Sequence, residues 1–257
     1  MEEKSRLKIF DRDTIKYLAL IPMFFGHLLS YIRDPADAGS KPLWYTLIEQ
    51  AALFAPPVFF FFIADGFRYT RSRKKYASRL LIFALITQIP FTLANHGTLL
   101  TGKLFLNLNI IFTLFLALLA LIIWESGKKL PLRIALIVLL DAVTYLLTSE
   151  WMIFGIPTIL GLHIFREKPK VRLIWFTVCV FAVEMLSNGV LFPFWFFWRF
   201  PAFSFGMAFL MLAYFVMTKC YNGQKGSHPV FAKWFFYIFY PAHLIVIWIV
   251  KLYLGVF

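Results

Sequence analysis

The sequence predicts an all-α membrane protein, a polytopic bundle of about nine transmembrane helices with a cytoplasmic N-terminus. Of its 257 residues, 61% are hydrophobic and only 15% are charged, and the mean hydropathy is +0.75. Soluble domains average about 45–50% apolar and about 25% charged residues, so a single soluble core is excluded. Two cysteines and 13 residues each of Gly and Pro exclude disulfide-rich and fibrous chains. No internal repeat is visible, which indicates one transmembrane domain over residues 1–257.

Nine apolar segments approach the length of about 20 residues that a membrane-spanning helix needs. The first is too long for a signal-peptide core and has no small-residue cleavage pattern, so it is kept as a span. The fifth and sixth are short, which is typical of tilted, broken or re-entrant helices. Leu191–Phe200 contains a proline and an arginine and is predicted to lie at the membrane interface. The nine segments are 14–32, 44–66, 77–94, 105–124, 132–148, 151–165, 173–190, 203–219 and 234–254.

The basic residues predict the orientation of these segments. The chain has a formal net charge of +13, and 21 of its 26 Lys and Arg residues fall on one side of the predicted bundle. Because basic residues accumulate in cytoplasmic loops, this side is predicted to be the cytoplasm. The basic residues form short clusters at the membrane edge rather than one groove, which argues against nucleic-acid binding.

Polar residues inside the predicted spans form two layers. An ionisable group within a bilayer usually faces a cavity or the bundle interior. Lys16 and His27 lie eleven residues apart, on one helix face and roughly 16 Å from each other. A basic layer near the cytoplasm and a mixed layer farther out indicate an anionic cofactor that enters from the cytosol. The inner layer contains Asp13, Lys16, Asp65, Arg68 and Asp141; deeper and outer positions are His27, Glu49, Gln88, Asn107, Asn109, Glu150, Glu184, Asn188 and His243.

Structural roles are open for the same residues. His27 is as well explained by a buried histidine that donates to a carbonyl as by a catalytic base. For His243 the structural role is somewhat favoured, because the preceding Tyr240–Pro241 step supplies a packing reason. For Gln88 the structural alternative is that it satisfies backbone groups that Pro90 frees.

Four stretches of the sequence resemble the TraX family. They occur in the family's order and cover essentially the whole chain. The second of them is the most specific. The stretches are Asp13-Thr-Ile-Lys-Tyr-Leu-Ala-Leu-Ile-Pro-Met-Phe-Phe-Gly-His27, Phe62-Ile-Ala-Asp-Gly-Phe-Arg-Tyr-Thr-Arg-Ser-Arg-Lys-Lys-Tyr76 with its continuation to Phe91, Leu106-Asn-Leu-Asn-Ile-Ile-Phe-Thr-Leu114, and Phe236-Tyr-Ile-Phe-Tyr-Pro-Ala-His-Leu244.

The TraX family is named for a conjugation protein that N-acetylates pilin, and it is similar to the acyltransferase-3 and heparan-glucosaminide acetyltransferase types. In that wider group a basic residue precedes a histidine by eleven residues, as Lys16 precedes His27. The resemblance implies a multi-pass acyltransferase of the bacterial cytoplasmic (inner) membrane that uses acetyl-CoA and no metal. The acceptor would be a peptide amine, a glycan hydroxyl or a small envelope metabolite.

The same resemblance suggests roles for individual residues. His27 would be the general base. The phosphates of CoA would bind at the basic inner rim, which Arg68, Arg71 and Lys16 form at the cytoplasmic side. Amide side chains of the outer layer would stabilise the oxyanion. The expected catalytic residues are His27, Lys16, Asp13, Gln88 and His243, and the expected cofactor-binding residues are Arg68, Arg71, Asp65, Lys16 and Asn107.

Two positions depart from the family pattern. TraX-like sequences usually have Asp directly before the histidine, where this chain has Gly26. If that acid orients the imidazole, Glu49 or Glu184 is expected to replace it. The acid before Gly66 is Asp65 where Glu is expected, which shortens its reach.

A different function class fits the same intramembrane residues. A proton-coupled transporter would use His27, Glu184 and His243 as its polar path. Inverted repeats would favour a transporter, and none is visible. A third hypothesis is that the protein is a structural partner in pilus or envelope assembly. Such a role would not require the polar layers inside the predicted spans.

Overall fold

The computed structural model describes residues 7–33, 41–100, 102–187 and 196–256, with side chains from residue 200 onward in the last range. Throughout these ranges the regular structure is helical, and one parallel bridge joins Phe10 to Tyr221. The predicted all-α fold is confirmed. Asn188 and the first half of the predicted interfacial segment, residues 191–195, lie outside the described residues; residues 196–200 begin a helix.

The helices begin and end where local chemistry predicts. Asp11, Ser72 and Asn109 each precede a helix and accept a hydrogen bond from one of its first backbone N–H groups. Gly97 ends a helix in the left-handed conformation at φ 72°, which glycine adopts without strain. The helices are α1 Arg12–Ile32, α2 Leu43–Ala51, α3 Ala55–Tyr69, α4 Arg73–His96, α5 Ile110–Trp124, α6 Leu130–Leu146, α7 Met152–Ile164, α8 Pro169–Ser187, α9 Phe196–Phe215 and α10 Pro229–Leu254.

Every predicted span overlaps a helix or a helix pair of the described residues, and residues 188–190 of the seventh span lie outside them. The second is divided into α2 and α3 by a 3-10 turn, Ala52–Phe54, because Pro56 and Pro57 start a new helix there. The fourth becomes helical only at Ile110, five residues after its predicted start at residue 105. The residues before it form a loop that packs on α4, described below.

Five helical segments of the described residues are long and apolar enough to cross a membrane, which identifies a membrane protein. The apolar helices α5 and α7 are shorter. Nine complete crossings therefore stay a prediction, as does the cytoplasmic N-terminus. The five segments are Arg12–Ile32, Leu43–Tyr69, Arg73–His96, Phe200–Cys220 and Pro229–Leu254.

Helix α3 lies at the centre of the bundle and packs against α1, α5, α7 and α9. The last helix, α10, packs against α1 and α4. Residues of these helices form one core, in which Phe60, Ile15 and Leu244 are fully buried. This arrangement places the polar positions of the first and last helices next to each other.

Candidate active site

Two histidines from opposite ends of the chain meet between α1 and α10. Nδ1 of His27 lies 3.0 Å from Nε2 of His243, and the two rings are stacked with centroids 5.3 Å apart. His243 is 3% exposed, whereas His27 keeps part of its surface open. The sequence placed both residues in the catalytic set, and the structure brings them into direct contact.

The hydrogen bonds of the pair fix the tautomer of each ring. Nδ1 of His243 lies 3.2 Å from the Phe239 carbonyl oxygen, which only accepts hydrogen bonds, so this nitrogen carries a proton. In a neutral ring Nε2 of His243 is then an acceptor, and Nδ1 of His27 donates to it. This leaves the lone pair of His27 on Nε2. The arrangement therefore presents a neutral imidazole base with a defined free nitrogen.

Tyr31 follows His27 by one helical turn, and the two rings meet edge to face at 5.8 Å. Nδ2 of Asn95 donates to the Tyr31 hydroxyl oxygen at 3.1 Å and to the Phe91 carbonyl at 2.9 Å. Because the Tyr31 oxygen accepts in this contact, its own proton points elsewhere. A hydroxyl donor thus lies beside the base.

Glu150, in the connection between α6 and α7, completes the group. Its Oε2 accepts hydrogen bonds from the Ile110 backbone N–H at 2.7 Å and from the Tyr240 hydroxyl at 3.1 Å. The Tyr240 ring meets the His243 ring at 5.1 Å, and Glu150 is close enough to Tyr31 to interact electrostatically. We call His27, Tyr31, Glu150, Tyr240 and His243 the histidine cluster.

Lys16 lies on the same face of α1 as His27, eleven residues nearer the N-terminus, as its spacing predicts. Its ammonium nitrogen sits 5.2 Å from the Phe62 ring centroid and 5.1 Å from that of Phe236. Such cation–π contacts hold a cation without neutralising it. Asp65 on α3 lies within electrostatic range of Lys16.

Asp13 lies one helical turn before Lys16 on α1, but the two side chains form no salt bridge. The Asp13 carboxylate instead accepts from Nε of Arg12 at 2.8 Å, because Lys16 is drawn between the two phenyl rings. Asp13 is 3% exposed and its Oδ2 has no hydrogen-bond partner. We call Arg12, Asp13, Lys16, Asp65 and Arg68 the inner polar layer.

A backbone pairing between the segment preceding α1 and the segment after α9 lies next to the inner polar layer. Phe10 pairs with Tyr221 through backbone hydrogen bonds to the segment that follows α9. Burial, together with the negative charge of Asp65, raises the pKa of the Tyr221 hydroxyl to about 12. Tyr221 therefore stays a neutral hydrogen-bonding group at the edge of the inner polar layer.

A pocket of about 470 Å³ opens beside the inner polar layer, at the ends of α3, α5 and α7. Arg68 and Arg71 were both predicted to bind the cofactor. Arg68 lines this pocket, whereas Arg71 is exposed and does not. Two carboxylates also line it, and each is paired: Glu125 with His163 at 3.0 Å and Glu167 with Arg166 at 3.1 Å. The lining residues are Phe67, Arg68, Arg73, Trp124, Glu125, His163, Ile164, Arg166 and Glu167.

Gln88 is engaged in holding a loop. Its Nε2 donates to the carbonyls of Leu104 and Asn107 at 2.9 and 2.6 Å, and its Oε1 accepts from Nδ2 of Asn109 at 2.8 Å. Both amide protons are used to hold this loop, and a catalytic role for Gln88 stays a prediction. Asn107 belongs to this loop, about 22 Å along α4 from the pocket residue Arg73, so the structure separates it from the predicted cofactor rim.

Neither acid that was expected to replace the missing aspartate contacts the histidine pair. Glu49 accepts from Lys41 at 2.5 Å and from Ser30 at 3.0 Å, and Glu184 packs on Gly206. At Gly26 a Cβ atom would come within 2.5 Å of the Ala52 Cβ. The close approach of α1 and α2 therefore excludes any side chain at position 26 without a shift, and His243 takes the place beside His27.

Sequence reasoning missed several residues of these sites. Tyr31 was within reach, because it lies one turn after His27. Arg73 and Arg166 were counted as topological charges, and only the pocket distinguishes them from their basic neighbours. Among the described residues no group of three or more His, Cys, Asp or Glu is placed to hold a metal ion.

Comparisons with known proteins identify the family of the chain. The chain is 29% identical over 263 residues to a probable fimbrial assembly protein FimC, serogroup H1, of Dichelobacter nodosus, with 97% of this chain and 99% of that protein covered. No solved structure matches the chain. The family model described as TraX protein matches residues 11–251, which include the helices of both polar sites. The chain therefore belongs to the TraX family.

Proposed function

We propose that this protein is an integral membrane acyltransferase that moves an acetyl group from cytosolic acetyl-CoA to an amine or hydroxyl at the membrane or envelope. The observation that carries the proposal is the His27–His243 pair, since its hydrogen bonds leave a neutral imidazole nitrogen as a base inside the bundle. An imidazole suits proton transfer near neutral pH. The resemblance to membrane acyltransferases rests on the same histidine.

The basic inner rim is the proposed entrance for acetyl-CoA. Arg68 and Arg73 line the pocket of about 470 Å³, and their guanidinium groups rest on the Tyr69 and Phe67 rings. Guanidinium groups bind phosphate oxygens in a bidentate manner, so both can turn toward the phosphates of CoA. The pantetheine arm would then extend past Lys16 toward the histidine cluster.

In the proposed reaction, Nε2 of His27 takes the proton of the attacking amine or hydroxyl. The acceptor atom forms a bond to the acyl carbon, the C–S bond breaks, and His27 returns the proton to the leaving thiolate. The Tyr31 hydroxyl, which lies next to His27 and keeps its proton, replaces Gln88 as the proposed oxyanion donor.

The biological setting is proposed from the relative. That protein is described as a probable fimbrial assembly protein, so a pilus subunit or another envelope component is the proposed acceptor. We also propose nine membrane crossings, a cytoplasmic N-terminus and an inner-membrane location. Thiol labelling of single cysteines, introduced into each loop after replacement of Cys179 and Cys220, tests this topology.

Acetyl-CoA binding is the direct test of the enzyme proposal. The detergent-purified protein is expected to melt at a higher temperature with acetyl-CoA than with an equal concentration of ATP, which shares the nucleotide and lacks the thioester arm. Equal stabilisation by both, or by neither, contradicts the proposal. A proton-coupled transporter would instead move protons in vesicles and ignore acetyl-CoA.

A further inference from the structure

The hairpin between α6 and α7 is a strained segment in an otherwise regular bundle. Thr148, Trp151 and Met152 adopt positive φ angles of 42°, 66° and 30°, which side-chain-bearing residues rarely do. Such strain persists only where surrounding contacts enforce it, and it is common at functional sites. The hairpin carries Glu150 between its strained residues.

Several hydrogen bonds enforce this conformation. The Glu150 backbone N–H donates to the Leu108 carbonyl at 3.0 Å, and the Thr113 hydroxyl donates to the Glu150 carbonyl at 2.5 Å. The Thr148 hydroxyl donates to the Leu106 carbonyl, and the Ser149 hydroxyl contacts that of Thr113 at 2.7 Å. These bonds fix the direction in which the Glu150 side chain leaves the backbone.

Only one of the two carboxylate oxygens of Glu150 accepts hydrogen bonds from the described residues. Both of its hydrogen bonds go to Oε2, and the side chain is partly open. The start of α5 is capped independently, because Oδ1 of Asn109 accepts from the Ile111 N–H at 3.0 Å. Within the described part of the chain no Lys, Arg or His forms an ion pair with Glu150. A carboxylate inside an apolar bundle is costly without a cationic partner.

The neighbours of Glu150 suit a cationic ligand. The Tyr240 hydroxyl donates to the carboxylate and Tyr31 lies within its electrostatic range, and aromatic faces attract ammonium groups. The same two tyrosines contact His243 and His27, so a ligand held by Glu150 is adjacent to the base.

We propose that Glu150 is the acceptor-binding residue, which holds the ammonium group of a primary amine at the histidine cluster. This inference rests on the proposed acyl transfer. The ammonium gives one proton to Glu150 and becomes a neutral amine, which forms the N–C bond as the C–S bond breaks. The second proton passes through His27 to the thiolate. Glu150 returns its proton to water after the amide leaves.

A purely structural role for Glu150 as a helix cap predicts different behaviour, and Glu150→Gln separates the two. The amide oxygen of Gln keeps both hydrogen bonds that Oε2 accepts, but the negative charge is lost. Glu49→Gln is the matched control, because the Glu49 carboxylate pairs with Lys41 and Ser30 rather than with a residue of the histidine cluster.

The experiment uses the full-length protein, labelled acetyl-CoA and two apolar peptides of identical sequence. One peptide has a free N-terminal amine, and the other has a hydroxyl in its place. Glu150→Gln is expected to raise KM for the amine peptide at least about tenfold, the loss expected for a charge-assisted contact. KM for the hydroxyl peptide and the melting temperature are expected to stay at their wild-type values.

Three outcomes overturn the inference. Equal KM increases on both peptides identify a structural role for Glu150. A wild-type protein that acetylates only the hydroxyl peptide, or neither peptide while acetyl-CoA still stabilises it, removes the amine assignment and leaves the proposed acyl transfer standing. A protein that acetyl-CoA does not stabilise contradicts the proposed function itself.

Discussion

The histidine cluster and the inner polar layer hold their polar groups in different ways. In the histidine cluster, hydrogen bonds between separate segments of the chain fix the groups at 2.7 to 3.1 Å. In the inner polar layer, the Lys16 ammonium rests between two aromatic rings at 5.1 and 5.2 Å. Hydrogen bonds fix direction, whereas ring contacts leave a cation free to turn. The cluster is thus preorganised for one geometry, whereas the inner polar layer is suited to the anionic ligand proposed for it.

The largest expected effect comes from removing the base. His27→Ala is expected to lower acetyl transfer to the amine peptide by about 10²–10⁴-fold, the usual contribution of a general base. Stabilisation by acetyl-CoA is expected to persist, because the phosphates bind at the inner rim. His228→Ala is the control, since His228 is exposed at the start of α10. Unchanged turnover of His27→Ala would remove the base from the mechanism.

The second-largest effect is expected from replacing the arginines that line the pocket. It tests the proposed binding of an anionic ligand beside the inner polar layer. Replacing Arg68 and Arg73 together by Ala is expected to raise KM for acetyl-CoA by about tenfold or more, with little change in kcat, because charge-assisted bonds to phosphate are lost. The exposed Arg71→Ala is the control, since Arg71 does not line the pocket. Equal effects of Arg71→Ala and the double variant would show that only general positive charge matters.

A smaller effect is expected at the residue that orients the base. His243→Ala removes one hydrogen bond and the tautomer preference of His27, so kcat is expected to fall about tenfold. Because the two histidines act as a unit, the double variant with His27→Ala is expected to be no slower than His27→Ala alone. Additive losses in this double-mutant cycle would mean that His243 acts independently of His27.

Much of the bundle could be predicted from the sequence, because membrane helices depend on local apolar runs. The positions of the helices follow from these runs, and the shared face of Lys16 and His27 follows from helical periodicity. The start of α5 could not be predicted, because it depends on Gln88 and Asn109 meeting across two helices.

The histidine pair was outside the reach of sequence reasoning for the same physical reason. His27 and His243 are separated by 216 positions, and only the packing of α10 against α1 joins them. The sequence identified both residues but assigned the missing acid to Glu49 or Glu184. The actual neighbour of His27 is set by the space left between helices, which local patterns do not report.

The smallest expected effect concerns stability and tests why the family's aspartate is missing. Gly26→Ala adds a Cβ within 2.5 Å of the Ala52 Cβ, and the neighbouring helix backbone leaves little room to shift. Overpacking of this kind costs about 1–3 kcal/mol, which corresponds to a fall in melting temperature of several degrees. Gly66→Ala is the control, because its Cβ would meet only the Tyr76 side chain, with the hydroxyl nearest at 3.3 Å. A Gly26→Asp variant as stable as the wild type, with faster acetyl transfer, would show that α1 and α2 can separate and that an acid can still assist His27. A fall in stability larger than that of Gly66→Ala would instead show that the close packing of α1 against the Ile48–Ala52 region leaves no room for a side chain at position 26.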